Sequence, residues 1–227
     1  MLMILMYHKV GRGSHANPLG ILREHLTYIK HRYPVVLPGD PLRRGLHVCL
    51  TFDDATADFY HEVYPLLKNL HLRALLAVPV NLINTPGYCT WDQLREMKEI
   101  EMASHSLNHV DLRWASYEPE IIDSKKRLEE ELSRKIQTFV YPYGRSSPAI
   151  VRFVKQHYLY SMRIGSALNW GWSPLLYRIN GDALGNYDTP FQHQFSAFLN
   201  YFLRLPSKFF FIYTQNKSLI SHPTHPD

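Results

Sequence analysis

The chain has 227 residues, of which 45% are hydrophobic and 20% are charged, and its formal net charge is +5. A chain of this length can bury a sizeable core, and its composition excludes an intrinsically disordered or fibrous protein. Lysine and arginine are scattered and do not form a basic arm, so no nucleic-acid partner is expected. The 13 histidines are also spread along the chain, so their number alone does not indicate a metal-binding tract.

The beginning of the chain and its two cysteines bear on where the protein acts. Residues 1–6 are apolar but lack the charged segment and cleavage site of a signal peptide, so they are predicted to form a first strand. No stretch approaches the ~20 apolar residues of a membrane helix. Cys49 and Cys89 do not form a disulfide framework. We therefore expect a cytoplasmic protein, or one that acts outside the cytoplasm if its true start lies upstream.

Short apolar runs alternate with helical patterns, which predicts an α/β domain with parallel strands. Strands are predicted over residues 2–7, 48–52, 73–80 and 137–141, and helices near residues 22–29, 59–70, 90–97, 118–134, 148 and 190. Thr90 and Gln93 form a capping-box pattern, and Ser116 is expected to cap the helix that follows it. Without a linker or repeat, residues 1–206 are expected to form one domain, followed by a tail over 207–227 whose structure the pattern does not assign.

Three segments carry residues that could do chemistry. Asp53 and Asp54 follow a hydrophobic strand, where α/β folds place catalytic groups, although one of them could simply cap the next helix. If their segment is helical, His105 and His109 face the same side and can reach one cation, but such a pair also occurs as ordinary polar residues. Residues 141–144 (YPYG) indicate, taken alone, a turn after a strand.

Taken together and in this order, these segments resemble the polysaccharide deacetylase (NodB-homology) family. Residues 64–67 (YPLL) and 90–94 (TWDQL) also match that family. Residues 6–10 (MYHKV) and the nearby Asn17-Pro18 resemble the branch that acts on poly-N-acetylglucosamine. The resemblance extends from about residue 7 to residue 179. It implies a single-domain, distorted (β/α) barrel of about seven strands.

The resemblance implies metal-dependent hydrolysis of the acetamide of an N-acetylated sugar, oligosaccharide or glycan precursor. It makes Asp54, His105 and His109 the ligands of one divalent cation, with zinc as the default and cobalt, nickel, manganese or iron as alternatives. It makes Asp53 the general base and the backbone N–H of Tyr143 an oxyanion donor. A glycosidase fits less well, because adjacent aspartates are poorly placed to flank a sugar with carboxyls roughly 5 to 9.5 Å apart.

The sequence departs from the family pattern in two residues, the arginine that orients the catalytic aspartate and the histidine that acts as general acid. Many members carry an arginine where Val140 or Tyr141 stands, and Arg178 is the candidate replacement, unless it is a surface or structural arginine. The late Leu-x-His motif of the general acid is not clear, since His222 has no leucine two positions before it. His8, at the end of the first strand, is the candidate acid, because barrel closure brings the first and last strands together. Its alternative role is a hydrogen bond to a loop.

Several alternatives stay open at this point. Trp170 and Trp172 could form an aromatic wall for sugar stacking, or serve the core or the surface. The chain could be a non-catalytic carbohydrate-binding protein on the same fold, although intact base and ligand residues argue against this. It could also be a metal-dependent amidohydrolase whose substrate is not a sugar.

Overall fold

Nine strands and five α-helices make up the computed structural model, which describes residues 1–11, 15–165 and 167–182. The strands are β1 (Leu2–Tyr7), β2 (Lys9–Val10), β3 (Ala16–Asn17), β4 (His47–Phe52), β5 (Leu75–Val78), β6 (Glu101–Ser104), β7 (Thr138–Val140), β8 (Tyr160–Ile164) and β9 (Leu176–Asn180). The helices are α1 (Leu19–Arg32), α2 (Tyr64–Asn69), α3 (Trp91–Glu96), α4 (Tyr117–Leu132) and α5 (Pro148–His157). Within these ranges, no helix is long and apolar enough to cross a membrane.

Seven of the strands form a closed parallel barrel in the order β1-β4-β5-β6-β7-β8-β9. The barrel closes where β9 pairs with β1, with Leu5 opposite Ile179 and Met6 opposite Asn180. Strands β2 and β3 pair separately as a short two-stranded ribbon. The predicted single-domain barrel of about seven strands is therefore confirmed.

Side chains of the barrel strands alternate between its interior and its helical coat, as the period of two in a strand requires. In β1, Leu2 and Ile4 belong to the interior cluster, whereas Met3 and Leu5 pack with helical residues such as Leu22. Strand members of the interior cluster also include Cys49, Leu75, Ala77, Ala103, Val140, Met162 and Leu176. The alternation fixes which residues at the strand ends point into the mouth of the barrel.

Some predicted elements differ from those observed. The helix predicted from residue 59 begins as a π-helical turn, Phe59–Val63, before continuing as α2, and the strand predicted over 73–80 is only β5. Strands β6, β8 and β9 were not predicted, because polar residues such as Arg163 and Arg178 interrupt the apolar pattern. The predicted helix at residue 190 and the tail over 207–227 lie outside the described residues.

The two predicted helix caps have different outcomes. The hydroxyl of Thr90 accepts a hydrogen bond from the N–H of Gln93 at 3.2 Å, and the Gln93 side chain accepts one from the N–H of Thr90 at 2.8 Å. This confirms the capping box at the start of α3. Ser116 occupies the N-cap position of α4, but its hydroxyl caps no backbone N–H in the described part of the chain. The capping role expected for Ser116 is therefore wrong.

We predict that Thr90→Ala lowers the free energy of unfolding by about 1 kcal/mol, the usual cost of losing an N-cap side chain. Ser116→Ala is the matched control and should change it by much less, because no cap hydrogen bond is lost. Urea unfolding followed by circular dichroism measures both values. A loss for Ser116→Ala as large as that for Thr90→Ala would contradict this interpretation of the caps.

Candidate active site

The predicted catalytic aspartate and the first predicted histidine ligand lie at the same carboxyl-end rim of the barrel. Asp53 directly follows β4 and shares the inward direction of Thr51 and Cys49, two and four positions earlier. His105 directly follows β6 and lies two positions after the inward-facing Ala103. Strand alternation therefore aims both side chains into the mouth of the barrel, and both are buried.

Asp54, His105 and His109 form a compact set of possible metal ligands. An Asp54 carboxylate oxygen lies 3.3 Å from Nε2 of His109 and 3.6 Å from Nε2 of His105, and the two nitrogens are 3.2 Å apart. A tetrahedral zinc ion with bonds near 2.0–2.1 Å needs ligand atoms about 3.3 Å apart. The three separations therefore fit a single small divalent cation.

His105 is held in the chemical form that a metal requires. Its Nδ1–H donates a hydrogen bond to the carbonyl of Val140 at 2.8 Å, which leaves the lone pair of Nε2 facing Asp54 and His109. Burial lowers the pKa of His105 to about 4, so the imidazole is neutral at ordinary pH. A backbone acceptor that fixes the tautomer in this way is a common support for a ligating histidine.

The segment that carries both histidines is a loop, so the helical explanation of their spacing is wrong. Ser106 and His109 have left-handed backbone angles, with φ of 66° and 54°. The N–H of His109 donates to the Ser106 hydroxyl at 2.9 Å. The buried carboxylate of Glu120, on α4, accepts hydrogen bonds from the N–H groups of Leu107 and Asn108 at 2.9 and 2.8 Å. The two histidines converge because these contacts fold the loop back on itself.

Arg178 holds Asp53 from inside the barrel. Its guanidinium donates two hydrogen bonds to the two carboxylate oxygens, at 2.6 and 2.9 Å, and both side chains are at most 3% exposed. Burial alone would raise the pKa of Asp53, but the charge of Arg178 and its hydrogen bonds outweigh it and hold the pKa at about 2. Arg178 is thus not a surface residue. Its contact with Asp53 is the one expected of the candidate replacement for the arginine missing at positions 140 and 141.

His8 is a second side chain that lies close to Asp53. Its Nε2 is 4.0 Å from an Asp53 oxygen, and its Nδ1 is 2.7 Å from a carboxylate oxygen of Asp182. The other Asp182 oxygen accepts a hydrogen bond from the Asn17 amide at 2.8 Å. Burial lowers the pKa of His8, but the hydrogen bond to Asp182 and the nearby carboxylates outweigh it, so the pKa lies above its ordinary value. His8 can therefore carry a proton that faces Asp53.

Asp182 was missed by the sequence analysis, although a signal for it exists. It lies two residues beyond Asn180 and four beyond Arg178, so it continues the inward-facing positions of β9. That signal depends on recognising β9, which was not predicted. The alternative acid, His222, lies outside the part of the chain that the structure describes.

Tyr143 lies beside the set of possible ligands. Its ring is 4.8 Å from that of His109, and its hydroxyl donates a hydrogen bond to the His109 carbonyl at 3.3 Å. Tyr143 has a left-handed backbone, with φ of 56°, and so does the next residue, Gly144, with φ of 65°. A Cβ on Gly144 would lie 2.6 Å from the Ile164 side chain, so only glycine fits this turn.

The two tryptophans considered for sugar stacking do not line this rim. The indole N–H of Trp172 donates to the Asp40 carbonyl at 2.7 Å, and its ring packs on Tyr160, the first residue of β8. Trp170 follows Asn169, which pairs with Leu2 at the start of β1. Both lie at the amino ends of the strands, opposite the candidate site, which favours the core or surface role that the sequence left open for them over an aromatic wall.

Comparisons with known proteins point to one family. Residues 43–161 match the sequence profile of the family described as polysaccharide deacetylase. The Bacillus subtilis protein YxkH, which bears the same family name, is 27% identical over 157 residues, 63% of this chain. That match spans only 56% of the length of YxkH.

Solved structures share the fold. The Streptococcus pyogenes deacetylase PplD, in complex with acetate, is 25% identical, and the match covers 79% of this chain and 92% of PplD with a TM-score of 0.70. IcaB from Ammonifex degensii is 19% identical, with 87% of this chain and 96% of IcaB covered and a TM-score of 0.71. At that identity, the likeness to IcaB shows the fold alone.

We predict that Asp54→Ala, His105→Ala and His109→Ala each lose the tightly bound divalent cation, because two ligands are too few to hold it. His31→Ala, at an exposed position in the last turn of α1, is the matched control and should keep one equivalent. Elemental analysis after dialysis against metal-free buffer measures the content, and circular dichroism checks the fold. Full metal content in all three folded variants would refute the ligand assignment.

Proposed function

The chain belongs to the polysaccharide deacetylase family, and from that premise we propose that it is a metal-dependent de-N-acetylase that releases acetate from N-acetylated sugars. One observation carries the proposal. The rim carries a carboxylate that is fixed by Arg178, a set of three metal-type ligands, and a histidine that can carry a proton. Amide hydrolysis needs these three kinds of group at one point: a Lewis-acid site, a base and an acid.

The residues that would hold the cation are Asp54, His105 and His109. Three protein ligands leave a coordination position open, as a hydrolytic site requires. When bound, a divalent cation supplies polarisation of the acetamide carbonyl and a lower pKa for water. Zinc matches two imidazoles and one carboxylate, and cobalt, nickel, manganese or iron are the alternatives.

Asp53 is the proposed general base. It is ionised throughout the neutral range, since its pKa is held at about 2, and it therefore accepts a proton from an attacking water. The two hydrogen bonds from Arg178 fix the plane of its carboxylate. Each attack then begins from the same geometry, which is how a positioned group lowers the entropic part of a barrier.

The remaining two tasks fall to Tyr143 and His8. The ring of Tyr143 packs on that of His109, and the backbone N–H of Tyr143 is proposed to donate to the oxyanion that forms on the acetamide. His8 is proposed to donate the Nε2 proton to the departing amine, while Asp182 holds its Nδ1–H. The raised pKa of His8 favours the protonated form that this step uses.

The proposed substrate is an N-acetylated sugar or oligosaccharide, and poly-N-acetylglucosamine is the proposed polymer. Support for the polymer comes from the N-terminal segment with His8 and from the structural place of that histidine in the site. The acetate bound to PplD is the product that such a reaction releases. A carbohydrate-binding protein without activity, or an amidohydrolase with a non-sugar substrate, would give a different result in the assay that follows.

We expect the protein to release acetate from N-acetylglucosamine oligomers. Acetate release should stop when a chelator removes the metal and should recover when zinc is returned. Asp53→Asn should keep the metal but lose roughly 10²–10⁴-fold in turnover, because an amide cannot accept the proton. An enzymatic acetate assay and elemental analysis follow both properties. Sugar binding without acetate release would indicate a binding protein. Undiminished turnover of metal-free protein would exclude the mechanism.

We predict that His8→Ala keeps its metal but loses most of its activity on N-acetyl sugars. It should lose less on an activated acetate ester, whose leaving group departs without a proton. The rates of sugar and ester hydrolysis are measured for His8→Ala and for the control His31→Ala. A lower ratio of sugar to ester rate in His8→Ala indicates a general acid rather than a structural residue. Equal losses on both substrates would show that His8 only supports a loop.

A further inference from the structure

A second group of possible ligands lies beside the candidate site. His8, His15 and Asp182 each offer one ligand atom, and these atoms lie within 4.8 Å of one another. The set contains two imidazoles and one carboxylate, the same donor types as Asp54, His105 and His109. Such a donor set binds zinc and similar divalent ions.

The backbone brings His15 to this position. The ribbon of β2 and β3 pairs Lys9 with Ala16, and the N–H of Lys9 donates to the His15 carbonyl at 3.2 Å. His15 itself has a left-handed backbone, with φ of 59°, which is unfavourable for a residue with a Cβ. The ribbon thus holds His15 in a strained conformation that sets its ring 5.2 Å from the ring of His8.

The carboxylate of Asp182 is also oriented. One of its oxygens accepts hydrogen bonds from the Asn17 amide at 2.8 Å and from the N–H of His8 at 3.4 Å. The other oxygen therefore faces Nδ1 of His8, at 2.7 Å. Second contacts of this kind support ligating carboxylates in metal sites.

We propose that His8, His15 and Asp182 bind a second divalent cation, and that this cation inhibits deacetylation by occupying Nδ1 of His8. The binding itself stands apart from the proposed function, whereas the inhibition rests on it. His15 is exposed, and the contact of 2.7 Å must open towards the roughly 3.3 Å between ligands of a tetrahedral zinc ion. The second cation is therefore bound more weakly than the first.

The inhibition follows from the two nitrogens of His8. The acid form of His8 carries protons on both Nδ1 and Nε2. A cation that binds Nδ1 displaces one proton to solvent and leaves a neutral ring with its hydrogen on Nε2. A neutral imidazole is a much weaker acid than an imidazolium, so the step that needs an acid is slowed. Hydrolysis of an activated ester continues, since it needs no acid.

Titration of the metal-free protein with zinc chloride tests the site. Equilibrium dialysis with elemental analysis should give two zinc equivalents for the wild type and for His31→Ala, and one for His15→Asn. Asparagine is chosen because it tolerates a left-handed backbone and so preserves the ribbon. The second site would be excluded if the wild type bound one zinc equivalent at every zinc concentration, or if His15→Asn bound two zinc equivalents.

Activity in excess zinc tests the inhibition. The wild type should lose roughly 10²-fold or more on an N-acetyl sugar, the usual contribution of a general acid, but little on the ester. His15→Asn should keep its sugar activity at the same zinc concentration. Equal inhibition of the wild type and His15→Asn would show that the inhibition does not come from a cation bound at His8 and His15. If neither protein hydrolyses the sugar with one zinc equivalent, the proposed function fails. The zinc stoichiometry then decides by itself whether the second site exists.

Discussion

The buried ion pair between Asp53 and Arg178 is the contact on which the candidate site depends. It joins the end of β4 to β9, the two strands that flank β1 in the barrel. Removing one partner of such a pair strands a charge in the interior, which typically costs about 3–5 kcal/mol. The folded pKa of Asp53 lies below its ordinary value, so the pair stabilises the fold above pH ~4 and this contribution fades as the pH falls towards 2. Arg178 therefore serves the fold and the orientation of Asp53 at once.

Much of this arrangement could be predicted from the sequence, since the strands β1 and β4 are continuous apolar runs that end in polar residues. The positions of Asp53 and Asp54 follow from where β4 ends, whereas His105 was found through the family resemblance, because β6 was not predicted. Arg178 and Asp182 were harder to place, because two of the three inward positions of β9, Arg178 and Asn180, are polar. A search for alternating apolar residues does not detect a strand such as β9, whose inward-facing side chains include an arginine.

The loop of the two histidines shows a second limit of the sequence pattern. A spacing of four suggested a helix, but left-handed residues and hydrogen bonds to Glu120 bring the ligands together instead. Glu120 lies on α4, more than ten residues further along the chain, and its carboxylate is buried against this loop. Such a contact is a tertiary one, which no local pattern predicts.

The closure of the barrel has a consequence for the order of events during synthesis. His8 leaves the ribosome well before its partner Asp182, which follows 174 positions later. Contacts of such long sequence separation form late and slow the folding of a chain. The nascent protein can therefore fold β1 against β4 early, but it cannot pair His8 until β9 has been made. A product of translation that stops before residue 178 lacks both Arg178 and Asp182, so the proposed chemistry requires a chain that has closed its barrel.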